Sequence, residues 1–178
     1  MDLFAFSEFA DEYQEWLEGG ASPRRAAWLD VPVSQLELGR VLSVAPDTPV
    51  RDAVKRMNEH RRGAVLVVVR ERLVGIFTER DVLQRVLGGE LDLANTSVGA
   101  VMTSDPDTLE PSATLGQALR TMARGRYRHL PVVDEAGAPV AAVSMRRIVQ
   151  FVCEAFPREI WNAPPEHPSS GVIELDGA

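Results

Sequence analysis

The chain has 178 residues, 45% hydrophobic and 25% charged, with a formal net charge of −7, which suits one globular domain or two small, closely packed ones. The acidity sits in the flanks: residues 1–40 carry a net −5, residues 154–178 a net −4, and residues 41–153 a net +2. That distribution argues against nucleic-acid binding by the whole chain and leaves room for a small anion in the middle.

The lone cysteine, Cys153, excludes an internal disulfide and two-cysteine metal motifs and fits a reducing compartment; its apolar surroundings predict a buried small hydrophobe. Met1-Asp2-Leu3-Phe4 has neither the basic region nor the apolar run of a signal peptide. No stretch reaches the roughly 18 apolar residues of a membrane span, so a cytoplasmic protein is expected.

Residues 1–20 predict a helix, with Phe6, Phe9, Tyr13, Trp16 and Leu17 near helical spacing and Gly19-Gly20 as its stop. A second helical turn is expected over residues 24–28. Leu42-Ser43-Val44 reads as a short strand. Thr48 is placed to cap the next helix and Pro49 suits its first turn. Val50, Ala53, Val54 and Met57 then recur as one helical stripe. The apolar run 64–69 predicts a strand buried on both faces, Arg70-Glu71-Arg72 a turn, and 73–77 the returning strand. A helix over 79–87 is stopped by Gly88-Gly89. Residues 90–104 form a connection, with a short helical turn at Ser97-Val98-Gly99-Ala100-Val101-Met102.

The same grammar then returns at an offset of about 65 residues. Leu115, Ala118, Leu119 and Met122 repeat the helical stripe. Residues 130–133 and 139–143 repeat the strand pair around Asp134-Glu135-Ala136-Gly137, and 145–152 repeat the closing helix. Each unit of about 50 residues is too small to bury much surface alone, so two units sharing a core are expected. From Phe156 onward, Pro157, Pro164, Pro165 and Pro168 predict an extended tail, with Trp161 as its anchor.

Gly75-Ile76-Phe77-Thr78-Glu79-Arg80-Asp81 carries the functional signal. A strand ends and Thr78 starts a helix, whose first N–H groups suit a phosphate. Asp81, one turn on, could accept from both hydroxyls of a ribose, and Gly75 would admit a ligand close to the strand. The same Thr-x-x-Asp spacing also makes a capping box with no ligand at all.

The duplicated strand-helix-strand-strand-helix unit and this Gly-hydrophobic-x-Thr-x-x-Asp motif resemble the tandem cystathionine-β-synthase-type (CBS) domain pair, over roughly residues 40–153. The resemblance implies an α/β (α+β) fold of two pseudo-twofold-related β-α-β-β-α repeats. The units would be a helical extension 1–35, a first repeat 36–95, a second repeat 96–153 and an extended tail 154–178. It implies a regulatory module that binds an adenine nucleotide (AMP, ADP, ATP or S-adenosylmethionine) between the repeats. The site would use Ser43, Val44, Gly63, Ala64 and Val65, with Thr78 near phosphate, Asp81 on ribose and Gly75 admitting the ligand close to the strand. In the second repeat Ser144 keeps the hydroxyl, but Arg147 stands where the ribose-binding Asp would be, and Arg offers donors only. That cleft is expected to be empty or to hold another anion, with Arg128, His129, Ser144 and Arg147 as candidate phosphate contacts in the basic group that also includes Arg124, Arg126 and Arg146. The family also implies a homodimer, and with no fused enzyme, channel or transporter domain in the sequence a separate effector protein is expected. No acid, base or metal constellation involves His60, His129 or His167, so neither catalysis nor a required cofactor is expected. A ligand-free docking scaffold is the rival expectation.

Overall fold

A computed structural model of the chain describes residues 27–155. The expected helix over residues 1–20, most of the turn at 24–28 and the tail from Phe156 lie outside the described residues. Two short 3-10 turns, Ala27–Asp30 and Val33–Gln35, open the described chain. The first repeat follows as β1 (Ser43–Val44), α1 (Val50–Glu59), β2 (Ala64–Val69), β3 (Arg72–Thr78) and α2 (Glu79–Asp81), which continues as a π-helical stretch Val82–Leu87. The connection holds α3 (Val98–Val101) and β4 (Thr103–Ser104), and the second repeat adds α4 (Leu115–Gly125), β5 (His129–Val133), β6 (Pro139–Ser144) and α5 (Met145–Ala155).

Helix α1 buries Val50, Ala53 and Met57 on one side, and α4 buries Leu115, Ala118, Leu119 and Met122. Their starts differ from expectation. Pro49, not Thr48, is the cap residue of α1, and no side chain caps that helix. The Thr48 carbonyl instead accepts the N–H of Val98 at 2.8 Å. Helix α4 has a full capping box between Thr114 and Gln117.

Strand β2 lies parallel to β1 and antiparallel to β3, with Ser43 opposite Leu66 and Ala64 opposite Thr78. The two-residue turn places Arg70 and Glu71 at φ 47° and 66°, the left-handed pair that matches the twist of a tight hairpin. Strand β2 is buried on both faces, as its continuous apolar run predicts. Val65 and Val67 enter the core of the first repeat with Val44, Phe77 and Val86, while Ala64 and Leu66 face Ala142 of β6 across the inter-repeat contact. Strand β4, absent from the expectation, pairs antiparallel with β3, setting Gly75 opposite Ser104. The second repeat holds the β5–β6 hairpin, and Leu109 bridges in parallel to Val132.

Each core is completed by the segment that precedes the other repeat. Val33 and Leu36 pack with Leu115, Met122, Leu130 and Ile148 of the second repeat. Val98 and Val101 pack with Val50, Met57 and Phe77 of the first. The linking segments thus cross between repeats, residues 33–36 joining the second core and residues 98–101 the first. Cys153 is a correction: it is exposed, because it falls on the outer side of α5, whose buried residue is Ile148. Among the described residues no helix is long and apolar enough to cross a membrane.

Candidate functional site

The β3–α2 junction faces the second repeat across a cleft of about 240 Å³. The first repeat lines it with Gly63, Thr78, Glu79, Asp81 and Arg85, the connection with Thr103 and Asp107, and the second repeat with Tyr127, Arg128 and His129. At position 63 a β-carbon would lie 3.0 Å from His129 Cε1 and 3.2 Å from Glu79 Oε2, so the absent side chain lets the two repeats approach. Arg80 ties the cleft across the repeats by donating to the Arg126 carbonyl at 2.8 Å.

Thr78 and Asp81 form a complete capping box. Asp81 Oδ2 accepts the Thr78 N–H at 2.9 Å and the Thr78 hydroxyl at 2.7 Å, and Arg85 Nε lies 3.4 Å from Oδ1. Of the two uses that the Thr-x-x-Asp spacing allows, the cap is realised. Two of the N–H groups at this helix start have partners within the chain: that of Glu79 donates to the Gly63 carbonyl at 3.1 Å and that of Asp81 to Thr78 Oγ1 at 3.4 Å.

Burial, the largest influence on His129, lowers its imidazole below the ordinary value of 6.5, with Arg128 acting in the same direction and Glu79 against it. Partial burial, the largest influence, and the nearby Asp107 carboxylate raise Tyr127 above its ordinary value.

The expected site residues separate into two groups. Gly63, Thr78, Asp81, Arg128 and His129 share the cleft. Val44 and Val65 are buried in the first repeat's core, Ala64 lies in the inter-repeat core, and Ser43 sits in β1 opposite Leu66. Gly75 faces the connection to the second repeat. A β-carbon there would collide with Met102 Sδ and lie 3.0 Å from the Thr103 carbonyl oxygen, so its bareness accommodates that connection. Arg128 and His129 share the cleft of Thr78 and Asp81, apart from Ser144 and Arg147. The Ser144 hydroxyl accepts the N–H of Arg147 at 3.2 Å, and the Arg147 guanidinium donates to the Glu37 carbonyl at 3.1 Å and pairs with Glu154 at 3.5 Å. Arg147 thus holds the segment before the first repeat. Among the described residues no group of His, Cys, Asp and Glu could hold a metal ion.

The sequence reading missed Glu79, Arg85, Asp107 and Tyr127. Arg85 carried a signal, since it stands four residues after Asp81 on one helical face; Asp107 and Tyr127 are brought in by the tertiary fold alone.

The family model for the CBS domain matches the chain twice, at residues 33–88 and 98–154. The chain belongs to the CBS domain family. The mitochondrial CBS domain-containing protein CBSX3 of Arabidopsis thaliana is 33% identical over 68% of this chain and 61% of its own length. CBSCBSPB3 of the same plant is 37% identical over 61% of this chain and 20% of its own length. The chain therefore spans about a fifth of the length of the first curated relatives it matches. Among solved structures, a CBS-domain containing protein from Agrobacterium tumefaciens superposes with a TM-score of 0.61 at 32% identity, covering 67% of this chain and 96% of that one. A CBS domain protein from Pyrobaculum aerophilum, complexed with AMP, superposes with a TM-score of 0.63 at 25% identity, covering 75% and 100%. The duplicated α/β architecture is thus that of a CBS-domain pair.

Proposed function

We propose that this CBS pair is a non-catalytic regulatory module that binds an adenine nucleotide in the cleft between its repeats and signals by a change in conformation or assembly. The observation that carries the reading is the convergence of Thr78 and Asp81 from one repeat with Arg128 and His129 from the other on a single cleft. Asp81 accepts from the ribose hydroxyls, and the phosphate lies toward Arg128 and His129. The AMP complex of the Pyrobaculum aerophilum relative supports this ligand class. The cleft lies just under the roughly 300–1,000 Å³ of drug-sized sites, and it also contains the acidic Glu79 and Asp107. Both features favour a small nucleotide with few phosphates. Leu83 and Leu87 of the π-helical stretch are 63% and 56% exposed, which suits burial in a homodimer; a separate effector protein would read the output.

One observation favours the ligand-free scaffold instead: Asp81 already has partners inside the chain, Thr78 and Arg85. Melting temperature with and without AMP, ADP, ATP and S-adenosylmethionine separates the two. A ligand at 100 times its dissociation constant adds about 2.7 kcal/mol of stability. A rise with one ligand that Asp81→Ala abolishes supports the sensor; no rise with any of them leaves the scaffold.

A further inference from the structure

Arg85 reaches in two directions. Its Nε lies 3.4 Å from Asp81 Oδ1. Its other nitrogens hold the connection between the repeats: one donates to the Val101 carbonyl at 2.9 Å and to the Met102 carbonyl, the other to the Thr103 hydroxyl at 3.3 Å. These acceptors span the end of α3 and the start of β4, from which the chain passes into the second repeat.

Counting lone pairs shows what a ligand would do to this arrangement. An ionised carboxylate offers about four acceptor sites. Asp81 Oδ2 receives two Thr78 donors, and Oδ1 faces the Arg85 guanidinium as an ion pair at 3.4 Å, so a ligand hydroxyl meets the carboxylate on the side that Arg85 shares. A single hydroxyl fits there, whereas a vicinal diol brings two. The Thr78 N–H is fixed backbone and its hydroxyl bond is short, at 2.7 Å, whereas the Arg85 contact is the long one at 3.4 Å. The second hydroxyl therefore displaces Arg85, whose side chain is 45% exposed and has room to move.

We infer that Arg85 is a positioning residue that couples engagement of Asp81 by a cis-diol to the segment 101–103, so that the cleft reports a ribonucleoside to the second repeat. This rests on the reading of the cleft as a nucleotide site. Once Asp81 is taken by the diol, the guanidinium loses its carboxylate partner and keeps only the Val101, Met102 and Thr103 oxygens, and the segment shifts with it. A ligand with one ribose hydroxyl binds without this release. Lysine at position 85 keeps the charge but lacks the planar fork that serves all of these acceptors at once.

The test is amide hydrogen exchange over residues 101–105, where the N–H of Met102 donates to Val98 and that of Asp105 to Val74. Wild type and Arg85→Lys are compared at saturating AMP and saturating 2′-deoxy-AMP. In wild type, AMP is expected to change exchange in this segment by about fivefold or more, the lower end of ordinary coupling between sites. The 2′-deoxy compound is expected to leave the segment unchanged while still raising the melting temperature, a comparison that needs no mutation. In Arg85→Lys, AMP is expected to bind without altering the segment. An unchanged segment in AMP-bound wild type overturns the coupling and leaves the nucleotide site standing, as does an equal response to both nucleotides or a full response in Arg85→Lys. No melting shift with AMP in wild type overturns the site and the coupling together.

Discussion

Val33 and Val98 are each fully buried in the repeat that the other one precedes. The N–H of Val33 donates to the Ala113 carbonyl just ahead of α4, and that of Val98 donates to the Thr48 carbonyl just ahead of α1, both at 2.8 Å. The exchange is reciprocal, and it joins the repeats through chain connectivity in addition to the contact around Leu66 and Ala142.

Each valine should therefore stabilise the distant repeat. Burial of a valine side chain is worth about 1.5–3 kcal/mol, and truncation also leaves a cavity. Val33→Ala is expected to raise amide exchange in α4 and β5, and Val98→Ala in α1 and β2. Loss of protection confined to the neighbouring sequence in each case would contradict the exchanged packing.

Asp81 has a structural role whether or not a ligand is present. Asp81→Ala removes the reciprocal half of the capping box and deprives Arg85 of its carboxylate. In nucleotide-free protein, urea unfolding should show a loss of about 1 kcal/mol, the usual value for a helix cap. Stability equal to wild type would mean that the carboxylate serves a ligand alone.

Gly75→Ala should destabilise the chain by about 1–3 kcal/mol, the usual range for overpacking. The new methyl meets Met102 Sδ, which can move, and the Thr103 carbonyl, which is backbone. Adding Met102→Ala should restore only part of the loss in thermal unfolding. Full recovery would show that the β4 backbone yields easily.

His129 gives the fold a pH dependence whose sign follows from its burial. Its folded value lies below the ordinary 6.5, so the neutral ring is favoured in the native state. The unfolded chain binds the proton first as pH falls, and the contribution, complete above 6.5, declines from there toward the folded value. Between pH 7.5 and 5.5 the urea midpoint of wild type should fall more than that of His129→Gln; the difference between the two proteins separates the imidazole from carboxylates titrating in the same range. Parallel curves would mean that His129 is solvated.

How far local sequence reached can be judged at particular residues. The stripe of Val50, Ala53 and Met57 and its return as Leu115, Ala118 and Met122 made both helices and the duplication legible, because a helix buries a face with a fixed period. The run 64–69 announced a strand buried on both sides for a similar reason. Thr78 and Asp81 were visible as a pair, since one helical turn brings them together in any fold. Thr48 misled, because Pro49 took the cap position and the Thr48 carbonyl was claimed by Val98 from a remote segment.

By itself, then, the sequence determined the repeated strand-helix-strand-strand-helix order, the helical and strand faces and the Thr78–Asp81 cap, all consequences of spacings of a few residues. Only the tertiary structure decided that residues 33–36 and 98–101 change places between cores, that Gly75 makes room for Met102 and Thr103, that Arg147 grips Glu37, and that Arg128 and His129 meet Thr78 and Asp81 in one cleft. Those relations join residues far apart in the chain, and their partners are chosen by how two half-cores close on each other, which no local period encodes.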